Sequence, residues 1–521
     1  MTLPAPAPTL GQALRDAARR RGDAIFCIDG DRSVEYRELD ASADRVARGL
    51  LGLGLAPGDR IAVLMLNQLE WVQLFFGAAR IGVAVVGMSV RYRDSEARAM
   101  VTDGRVKAVF TAASHEGHDF VAMFERLAPE LPGLEHVICV GGDDDSRGLH
   151  ELLPEDAGEA ALAKAAASVR GDDLAMIIYT SGTTGRPKGA GLTHHSMLAS
   201  AHAQAEHMRY GPDDLIQMPT PLNHVGGITC GILTMMAGGG TVDLVAEFKA
   251  PVVLQRMAKH PPTIVAGVPT MMTLLLMQSQ GLDVDFSGVR LVFVGGSNVD
   301  ATLLEQLQSK MPNATAMNLY GLSESSGAIV ISPWNCSQQD LVATIGRPIG
   351  GAEVRVLDKQ RRPVPAGAVG ELAFRGCGVI PGYVGAAAAG SDAFTPDGWL
   401  LTGDLGEVDA RGFITLRGRA KDMYIQGGFN VYPAEIEAYL AQHPDVVLAA
   451  GIGVPDPVMG EVGRYYIVAR PGSALTESQL RAWCAEGLAD YKVPRQIVFR
   501  ESLPLTPAGK IHKAALRTEG G

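Results

Sequence analysis

Six short apolar runs, most of them followed by turn-forming residues, constrain the fold of this chain more than any other feature. They are "RIAVLML" (60–66), "KAVFTAA" (107–113), "HVICVGG" (136–142), "LAMIIYT" (174–180), "TIVAGVP" (263–269) and "RLVFVGG" (290–296). Stretches with apolar residues at helical spacing lie between several of these runs, such as "EYRELDASADRVARGLLGLG" (35–54). Because buried strands that alternate with amphipathic helices form helix-covered parallel sheets, the pattern predicts an α/β fold.

The chain changes character near residue 345 and again near residue 419. "AEVRVLD", "GELAFRG" and "GFITLRG" read as short strands between Pro- and Gly-rich turns, which predicts a β-rich subdomain over about 345–419. The charged cluster at 419–422 precedes a Gly-Gly turn and a helix predicted to begin near Pro433. We therefore predict a large N-terminal domain of α/β layers over residues 1–419 and a small, mobile α+β C-terminal domain over 420–521.

Charge and cysteine usage exclude several classes of protein. The formal net charge of −11 argues against nucleic-acid binding, since clustered lysines and arginines hold phosphate backbones. The six cysteines are scattered without a Cys-x-x-Cys pair, which indicates neither a zinc site nor a disulfide framework. The N-terminus lacks a signal-peptide core, and no apolar run reaches the roughly 18 residues that span a bilayer. We therefore expect a cytoplasmic protein without a transmembrane segment.

The stretch "YTSGTTGRPKGAGLTHHS" (179–196) places glycines, hydroxyl side chains and a lysine directly after a predicted strand. Backbone amides and hydroxyls in such a loop can surround phosphate oxygens, and the lysine adds positive charge. It is not a Walker A loop, because Pro187 precedes Lys188 and Gly189 follows it. A surface loop without a ligand is the alternative. The candidate phosphate ligands are Thr180, Ser181, Gly182, Thr183, Thr184 and Lys188.

Three further segments carry residues suited to a nucleotide site. In "NLYGLSES" (318–325), predicted to be a turn, Tyr320 could stack on a base, Ser323 could bind a phosphate and Glu324 could hold Mg²⁺. "WLLTGDLG" (399–406) places Asp404 in a predicted tight turn, where its carboxylate could accept both ribose hydroxyls. "PLTPAGKIHK" (504–513) presents Lys510 on a Pro- and Gly-containing segment. Each segment alone also fits an ordinary turn or a solvated lysine.

Taken together and in order, these segments resemble the AMP-forming adenylating superfamily of acyl-CoA synthetases, firefly-type luciferases and peptide-synthetase adenylation domains. The matching motifs are "YTSGTTGRPKG", "YGLSES", "LLTGD", "GRAKDMYIQGGFNVYPAEIE" and "PLTPAGK", and the resemblance runs from about residue 10 to 515. It implies that a carboxylate attacks the α-phosphate of ATP to give an acyl-adenylate and pyrophosphate. Coenzyme A then forms the thioester and releases AMP. The implied cofactors are ATP, Mg²⁺ and coenzyme A as co-substrate.

The resemblance implies roles for residues of both domains. Tyr320 would stack on adenine, Ser323 would bind the α-phosphate, Glu324 would be the Mg²⁺ ligand, and Asp404 and Arg419 would bind the ribose. The other implied nucleotide-site residues are Asn318, Gly321, Gly295, Gly296 and Ser297, the last three lining adenine and the acyl group, while the loop from Thr180 to Thr184 and Lys188 would bind the leaving pyrophosphate.

Four elements of the resemblance concern the catalytic lysine and the change from the first half-reaction to the second. Lys510 would bridge the attacking carboxylate and the α-phosphate. The small domain would then rotate about Lys421 and bring Gly427 and Gly428 to the pantetheine arm of coenzyme A. His224 would lie between the acyl and thiol sites, although a histidine that merely caps a helix is the alternative. His194 and His195 are assigned to helix surface or packing rather than to catalysis.

The acyl substrate is constrained by the segment "NHVGGITCGILTMMAGGG" (223–240). It has no aspartate for an α-amino group and no basic residue for a second carboxylate. Gly226, Gly227, Gly231 and Met235 predict an apolar, fairly roomy pocket. We therefore expect a medium-chain, branched, alicyclic or aromatic acid.

Three other functions and two partners are weighed against this interpretation. An acyl-AMP ligase that loads a carrier protein typically has an insertion that this chain lacks around 340–420. An oxygenase of luciferase type is a further alternative, and intact Glu324, Asp404 and Lys510 disfavour a non-catalytic ATP- or AMP-binding protein. "PLTPAGK" resembles the pattern around acetylated lysines, so a lysine acetyltransferase acting on Lys510 is an expected partner. A homodimer is the expected assembly if the chain self-associates.

Overall fold

The computed structural model describes most of the chain. The described residues are 7–141, 149, 153, 157–180, 188–279, 282, 284–295, 301–385, 392–427, 429–506 and 509–519. Seven predicted site residues lie outside them: Ser181, Gly182, Thr183, Thr184, Gly296, Ser297 and Gly428.

The larger of two mixed sheets has nine strands among the described residues. Their order across the sheet is Arg347–Pro348, Gly327–Ile331, Thr315–Leu322, Leu291–Gly295, Ile264–Gly267, Leu215–Met218, Thr241–Leu244, Ile25–Asp29 and Arg32–Glu35. The six strands from Thr315–Leu322 to Ile25–Asp29 run parallel, and the strands beyond them at both edges pair antiparallel. This arrangement places the segment 318–325 at the carboxyl end of the last parallel strand.

The second mixed sheet has seven strands among the described residues. Their order is Tyr383–Val384, Lys188–Thr193, Leu174–Thr180, Ala84–Met88, Arg60–Leu64, Ala108–Thr111 and His136–Cys139. The last five run parallel, and the first two add antiparallel strands at one edge. A separate hairpin pairs Ser114–His115 with His118–Asp119. All six strands predicted from the apolar runs are therefore confirmed, four in this sheet and two in the larger one.

Helices pack between and around the two sheets. The α-helices are Leu10–Arg21, Tyr36–Gly52, Leu69–Arg80, Asp94–Asp103, Phe120–Leu127, Glu159–Ser168, His194–His207, Val225–Gly227, Thr234–Gly238, Ala250–Lys259, Pro269–Gln278, Ala301–Lys310, Gln338–Ala343, Pro433–Leu440, Glu477–Gly487 and Lys513–Glu519. Shorter 3₁₀ turns lie at Ala128–Glu130, Ser323–Ser325 and Asp490–Lys492, and Ile228–Leu233 is a π-helical turn.

The helix Tyr36–Gly52 shows why the sequence folds in this way. Its apolar residues recur every three or four positions, so that Leu39, Ala43, Val46 and Leu50 are buried on one stripe. They belong to one hydrophobic core that also contains strand residues of both mixed sheets. In the described residues we find no helix that is both long and apolar enough to cross a bilayer.

Two smaller sheets complete the fold. The strands Glu353–Leu357, Gly370–Arg375, Leu400–Val408 and Ile414–Arg419 form an antiparallel sheet. The C-terminal sheet has the order Phe429–Val431, Tyr424–Gln426, Gly460–Ala469 and Val446–Asp456, with Gln496–Phe499 parallel to Gly460–Ala469. Its hydrophobic clusters draw their buried residues from positions 424–516 alone. The chain therefore has a large α/β N-terminal domain with a β-rich part and a separate small α+β C-terminal domain.

The structure corrects two local predictions. Asp404 does not lie in a tight turn but inside the nine-residue strand Leu400–Val408. The Thr-Gly-Asp sequence marks an irregular strand, because Gly403 has a φ of +71° and the pairing shifts register after Leu405. Tyr320 likewise lies in the strand Thr315–Leu322, and only Ser323 and Glu324 occupy the turn that follows it.

Candidate active site

Asp404 is the centre of a side-chain cluster that joins two sheets. The Tyr320 hydroxyl donates to Asp404 Oδ2 at 2.6 Å, and Arg419 Nε lies 3.0 Å from Asp404 Oδ1. Asp404 and Arg419 are direct neighbours across two antiparallel strands, which fixes the ion pair. Asp404 is only 4% exposed. Because a carboxylate offers about four lone-pair sites, a further hydroxyl can bind here without displacing either partner.

Tyr320 is held by its hydroxyl and by its ring. The residue is 9% exposed, and its ring centroid lies 5.9 Å from that of Phe374. Burial, with the Asp404 carboxylate as the next cause, raises the pKa of the Tyr320 phenol well above its usual range. The phenol therefore stays protonated and donates to Asp404. Its stacking on adenine stays a prediction.

Glu324 lies in the 3₁₀ turn Ser323–Ser325, which ends the last parallel strand of the larger sheet. The Tyr383 hydroxyl donates to Glu324 Oε1 at 2.7 Å, and Thr180 Oγ1 lies 3.4 Å from the same oxygen. The Ser325 hydroxyl fixes the turn, because it accepts the Leu322 amide at 2.9 Å and donates to the Gly327 carbonyl at 2.7 Å. The turn therefore directs one carboxylate towards the second mixed sheet.

Thr180 and Lys188 stand at the two ends of the predicted phosphate loop. They are direct neighbours across the antiparallel strands Leu174–Thr180 and Lys188–Thr193, so the two ends of the loop lie side by side. Lys188 Nζ lies 5.5 Å from the centroid of the Tyr383 ring. The structure thus brings Thr180, Lys188 and Glu324 together around Tyr383.

Lys510 stands on a loop of the C-terminal domain that carries its own hydrogen bonds. The Thr506 amide donates to the Lys510 carbonyl at 2.6 Å, and the Lys510 amide donates to Thr506 Oγ1 at 3.1 Å. Gly509 has a φ of +78°, and a Cβ placed on it would lie 3.0 Å from Cε of Met271. The loop therefore sits against the helix Pro269–Gln278 of the N-terminal domain.

Lys510 is partly buried and lies near enough to Arg419, Asp404 and His224 for their charges to interact. Burial, and next the Arg419 guanidinium, lower the pKa of the Lys510 ammonium, while Asp404 acts in the opposite sense. Burial and the Lys510 ammonium lower the pKa of His224 to about 3. The Nδ1 atom of His224 accepts the Gly226 amide at 3.1 Å at the start of the helix Val225–Gly227. His224 is therefore a neutral helix cap that also lies within the field of Lys510.

Several predicted site residues have structural contacts of their own. The Asn318 side-chain amide donates to the carbonyl oxygens of Leu341 at 2.5 Å and Thr344 at 2.8 Å. A Cβ on Gly321 would overlap the carbonyl oxygen of Gly327, and one on Gly295 would lie 3.1 Å from the Leu319 carbonyl oxygen. These contacts explain the residue types without a ligand.

Gly427 lies in the C-terminal sheet, between its strands Tyr424–Gln426 and Phe429–Val431. Its φ is +57°, and its amide donates to the Met459 carbonyl at 3.0 Å. The neighbouring Ile425 and Phe429 are 47% and 56% exposed. The structure places this hairpin at the surface of the C-terminal domain.

Two glycines of the predicted acyl pocket pack closely against their neighbours. A Cβ on Gly231 would overlap the Met218 side chain, and one on Gly227 would overlap the Pro221 carbonyl oxygen. The roomy acyl pocket itself stays a prediction. Met235 is fully buried in the core.

Sequence reasoning was right about His194 and missed Tyr383. His194 is buried, its Nδ1 accepts the Leu10 amide at 3.2 Å, and burial lowers its pKa to about 4, which confirms a packing role. Tyr383 is separated from Glu324 by 59 residues, and "PGYVG" carries no local signal beyond a turn before a short strand. Burial and Glu324 raise the pKa of the Tyr383 phenol, so its hydroxyl stays protonated.

Comparison with known proteins identifies two family models and many relatives. The model described as AMP-binding enzyme matches residues 14–384, and that described as AMP-binding enzyme C-terminal domain matches 435–510. A 3-[(3aS,4S,7aS)-7a-methyl-1,5-dioxo-octahydro-1H-inden-4-yl]propanoyl:CoA ligase of Rhodococcus jostii (strain RHA1) is 35% identical over 98% of both chains.

Two solved structures are also similar to this chain. The anthranilate CoA ligase AuaEII in complex with anthranoyl-AMP is 26% identical, with a TM-score of 0.89 over 99% of this chain and 98% of that one. The o-succinylbenzoate coenzyme A synthetase of Bacillus subtilis, in complex with ATP and a magnesium ion, is 27% identical, with a TM-score of 0.82 over 98% of this chain and 99% of that one.

Proposed function

This chain belongs to the AMP-binding enzyme family and is an AMP-forming acid–CoA ligase that uses ATP, Mg²⁺ and coenzyme A, and we propose that its acid substrate carries an alicyclic or aromatic ring. The observation that carries the proposal is the ring-bearing acid in the names of three similar proteins: an octahydroindene propanoate, anthranilate and o-succinylbenzoate. Other similar proteins are named for long-chain fatty acids. Residues 225–238 agree with it, because they contain no carboxylate or amine side chain. A straight-chain or branched acid of medium length is the second candidate.

The reaction has two steps that require different neighbours. In the first, a carboxylate oxygen of the acid bonds to the α-phosphorus of ATP, and the bond to pyrophosphate breaks. In the second, the sulfur of coenzyme A bonds to the acyl carbon, the thiol proton is released, and AMP leaves. Only the first step has a carboxylate as nucleophile, so a cation that bridges this carboxylate and the α-phosphate stabilises the transition state of that step.

We propose that the Asp404 cluster holds the nucleoside and that Lys510 acts at the α-phosphate. The support is that the loop of Lys510 packs against Met271 of the N-terminal domain and that the charges of Asp404 and Arg419 reach Lys510. In this proposal Asp404 and Arg419 bind the ribose, Tyr320 contacts adenine and Ser323 contacts the α-phosphate. The orientation of the C-terminal domain is then the one suited to adenylate formation.

The oxygen atoms around Glu324 suit Mg²⁺. A carboxylate and the Thr180 hydroxyl are hard donors, which this ion prefers to nitrogen or sulfur. When bound, Mg²⁺ offsets negative charge on the triphosphate. We propose that Glu324 holds it and that Lys188, with the loop from Thr180 to Thr184, binds the departing pyrophosphate.

We propose Lys421 as the hinge between domains over residues 1–419 and 420–521. On its N-terminal side, the Ala420 amide donates to the Gly403 carbonyl at 2.9 Å. On its C-terminal side, the Asp422 carboxylate pairs with Arg517 at 2.7 Å. The Asp422 and Met423 amides also donate to the Arg419 carbonyl, at 3.0 and 3.1 Å, so Lys421 lies in a turn that joins the two sides. Lys421 itself is exposed. Rotation there would carry Gly427 and Gly428 to the pantetheine arm.

Three expectations stay predictions: a cytoplasmic location, a homodimer, and acetylation of Lys510 by a lysine acetyltransferase. The last has the simplest physical reason, since acetylation removes the charge that the α-phosphate needs. Transfer to a carrier protein instead of coenzyme A would be a side activity of the same acyl-adenylate.

A coupled assay of AMP release tests the substrate proposal. The purified enzyme is given ATP, Mg²⁺ and coenzyme A with straight-chain, branched, alicyclic and aromatic monocarboxylic acids of similar carbon number. We expect the highest kcat/KM for a ring-bearing acid, by at least about tenfold, since a misfit of even one methylene group in an apolar pocket costs about 1–3 kcal/mol. A straight-chain acid with the highest value would overturn the proposal.

A further inference from the structure

The structure assigns to Tyr383 the role of a positioning residue that holds Glu324 for the metal of the nucleotide complex. This inference rests on the proposed function of Glu324 as the Mg²⁺ ligand. Tyr383 would not touch the metal or the phosphates. It would act by fixing the orientation of the carboxylate that does.

The hydrogen bond from Tyr383 is the better of the two that reach the Glu324 side chain from the described residues. Its O···O distance of 2.7 Å is close to the optimum for a hydroxyl donor, whereas the 3.4 Å from Thr180 Oγ1 exceeds the usual range. Both end on Oε1. A carboxylate held by one oxygen keeps the other directed away from the phenol, where it can bind a cation.

The position of Tyr383 is fixed by glycines in the strand beside it. Gly189 pairs with Val384 of the two-residue strand that carries Tyr383, and the Gly191 amide donates to the Gly382 carbonyl just before that strand. A Cβ on either glycine would lie 2.9 Å from the Val384 side chain. Any larger residue there would push this strand outward. The Lys-Gly-Ala-Gly sequence after the phosphate loop therefore lets the tyrosine reach Glu324.

Tyr383 also lies next to Lys188. The ammonium is 5.5 Å from the ring centroid, within the range of a cation–π contact. The phenol thus connects a carboxylate proposed for the metal with an ammonium proposed for the pyrophosphate. Groups that orient a metal ligand through a hydrogen bond typically change metal affinity by about 10- to 100-fold when removed.

The test is the Tyr383→Phe variant, which removes the hydroxyl and keeps the ring beside Lys188. We expect the Mg²⁺ concentration that half-saturates adenylate formation to rise about tenfold, and binding of ATP in the presence of Mg²⁺, measured by titration calorimetry, to weaken similarly. Calorimetric binding of AMP without metal should not change. Saturating Mg²⁺ should restore the rate, which it would not do for a folding defect.

Tyr179→Phe is the matched control. Its hydroxyl donates to the Asp103 carboxylate at 2.8 Å, and it faces the same strand from the opposite side. It loses the same kind of bond, and we expect its Mg²⁺ dependence to equal that of the wild type. An equal shift in both variants would show a general effect on the sheet and overturn the inference.

Glu324→Gln separates this inference from the function on which it rests. If Glu324→Gln raises the Mg²⁺ requirement and Tyr383→Phe does not, Tyr383 has no positioning role and the proposal for Glu324 stands. If Glu324→Gln leaves the Mg²⁺ requirement unchanged, both proposals fall.

Discussion

Asp404 and Lys510 belong to the same candidate site, but the protein holds them differently. Asp404 is buried, and both its oxygens contact side chains from two sheets of the N-terminal domain. Lys510 stands on a loop whose described hydrogen bonds, between Thr506 and Lys510, lie within the loop itself.

This difference in how the two residues are held matches the two roles that we propose, nucleotide binding for Asp404 and catalysis of the first step for Lys510. In the proposed function, the Asp404 cluster holds the nucleotide in both half-reactions, whereas Lys510 is required only in the first. The hydrogen bonds of the Lys510 loop lie within the loop, so it can move as a unit with the C-terminal domain.

The largest effect is expected from Lys510→Ala, which tests whether Lys510 acts in only one of the two steps. We expect adenylate formation, followed by pyrophosphate release without coenzyme A, to fall by at least about 10²- to 10³-fold, because a charge at the α-phosphate is lost. Thioester formation from supplied acyl-adenylate should persist. Lys513→Ala is the control, since that lysine pairs with Glu437 at 2.6 Å and has no role in either step. An equal loss of both steps in Lys510→Ala would contradict the assigned role.

Lys421→Pro tests whether the two sides separate at the proposed hinge. Proline fixes φ and restricts the preceding residue, so we expect one half-reaction to fall about 100-fold while the other stays within a few-fold. Measuring each half-reaction separately checks this. Lys421→Ala, which leaves the backbone free, should retain both. Two unaffected half-reactions in the proline variant would argue against rotation at this residue.

The pH dependence of adenylate formation should show the environment of Lys510. The step needs the ammonium, and its pKa is lowered, so the rate should be full at lower pH and fall about tenfold per pH unit once pH exceeds that lowered pKa. The fall should begin below the range of an exposed lysine. In Lys510→Arg this limb should vanish, because arginine stays charged. His224, with a pKa of about 3, should add no limb between pH 5 and 9.

Tyr320→Phe tests the Asp404 cluster, and we expect it to have the smallest effect on nucleotide binding and on the two half-reactions. It removes one hydrogen bond to Asp404 and leaves the Arg419 ion pair, so we expect ATP and AMP to bind about threefold to tenfold more weakly, with both half-reactions affected alike. Calorimetric titration measures both affinities. Tyr36→Phe loses a buried hydroxyl bond to Gly240 far along the chain and should change stability but not affinity. A selective loss of adenylation would place Tyr320 with Lys510 instead.

The parts of this protein that sequence predicted well are those with a local cause. The run 174–180 forms a strand because consecutive apolar residues are buried on both faces, and its burial follows from its own composition. The predicted turn at Gly403 and Asp404 was wrong, because a Gly-Asp sequence can form either a turn or an irregular strand, depending on the strands beside it. The contact between Tyr383 and Glu324 depends on the pairing of the short edge strand Tyr383–Val384 with the distant strand Lys188–Thr193. Pairing between distant strands leaves no periodic pattern in the sequence.

The seat of Gly509 on Met271 has a consequence for the evolution of such two-part enzymes. The fit combines a glycine at positive φ on the loop with the Met271 and Val268 side chains of the large domain. A C-terminal domain exchanged between relatives would bring its own lysine and loop. Its docking here would require both a glycine before the lysine and a partner surface that leaves the space seen beside Met271.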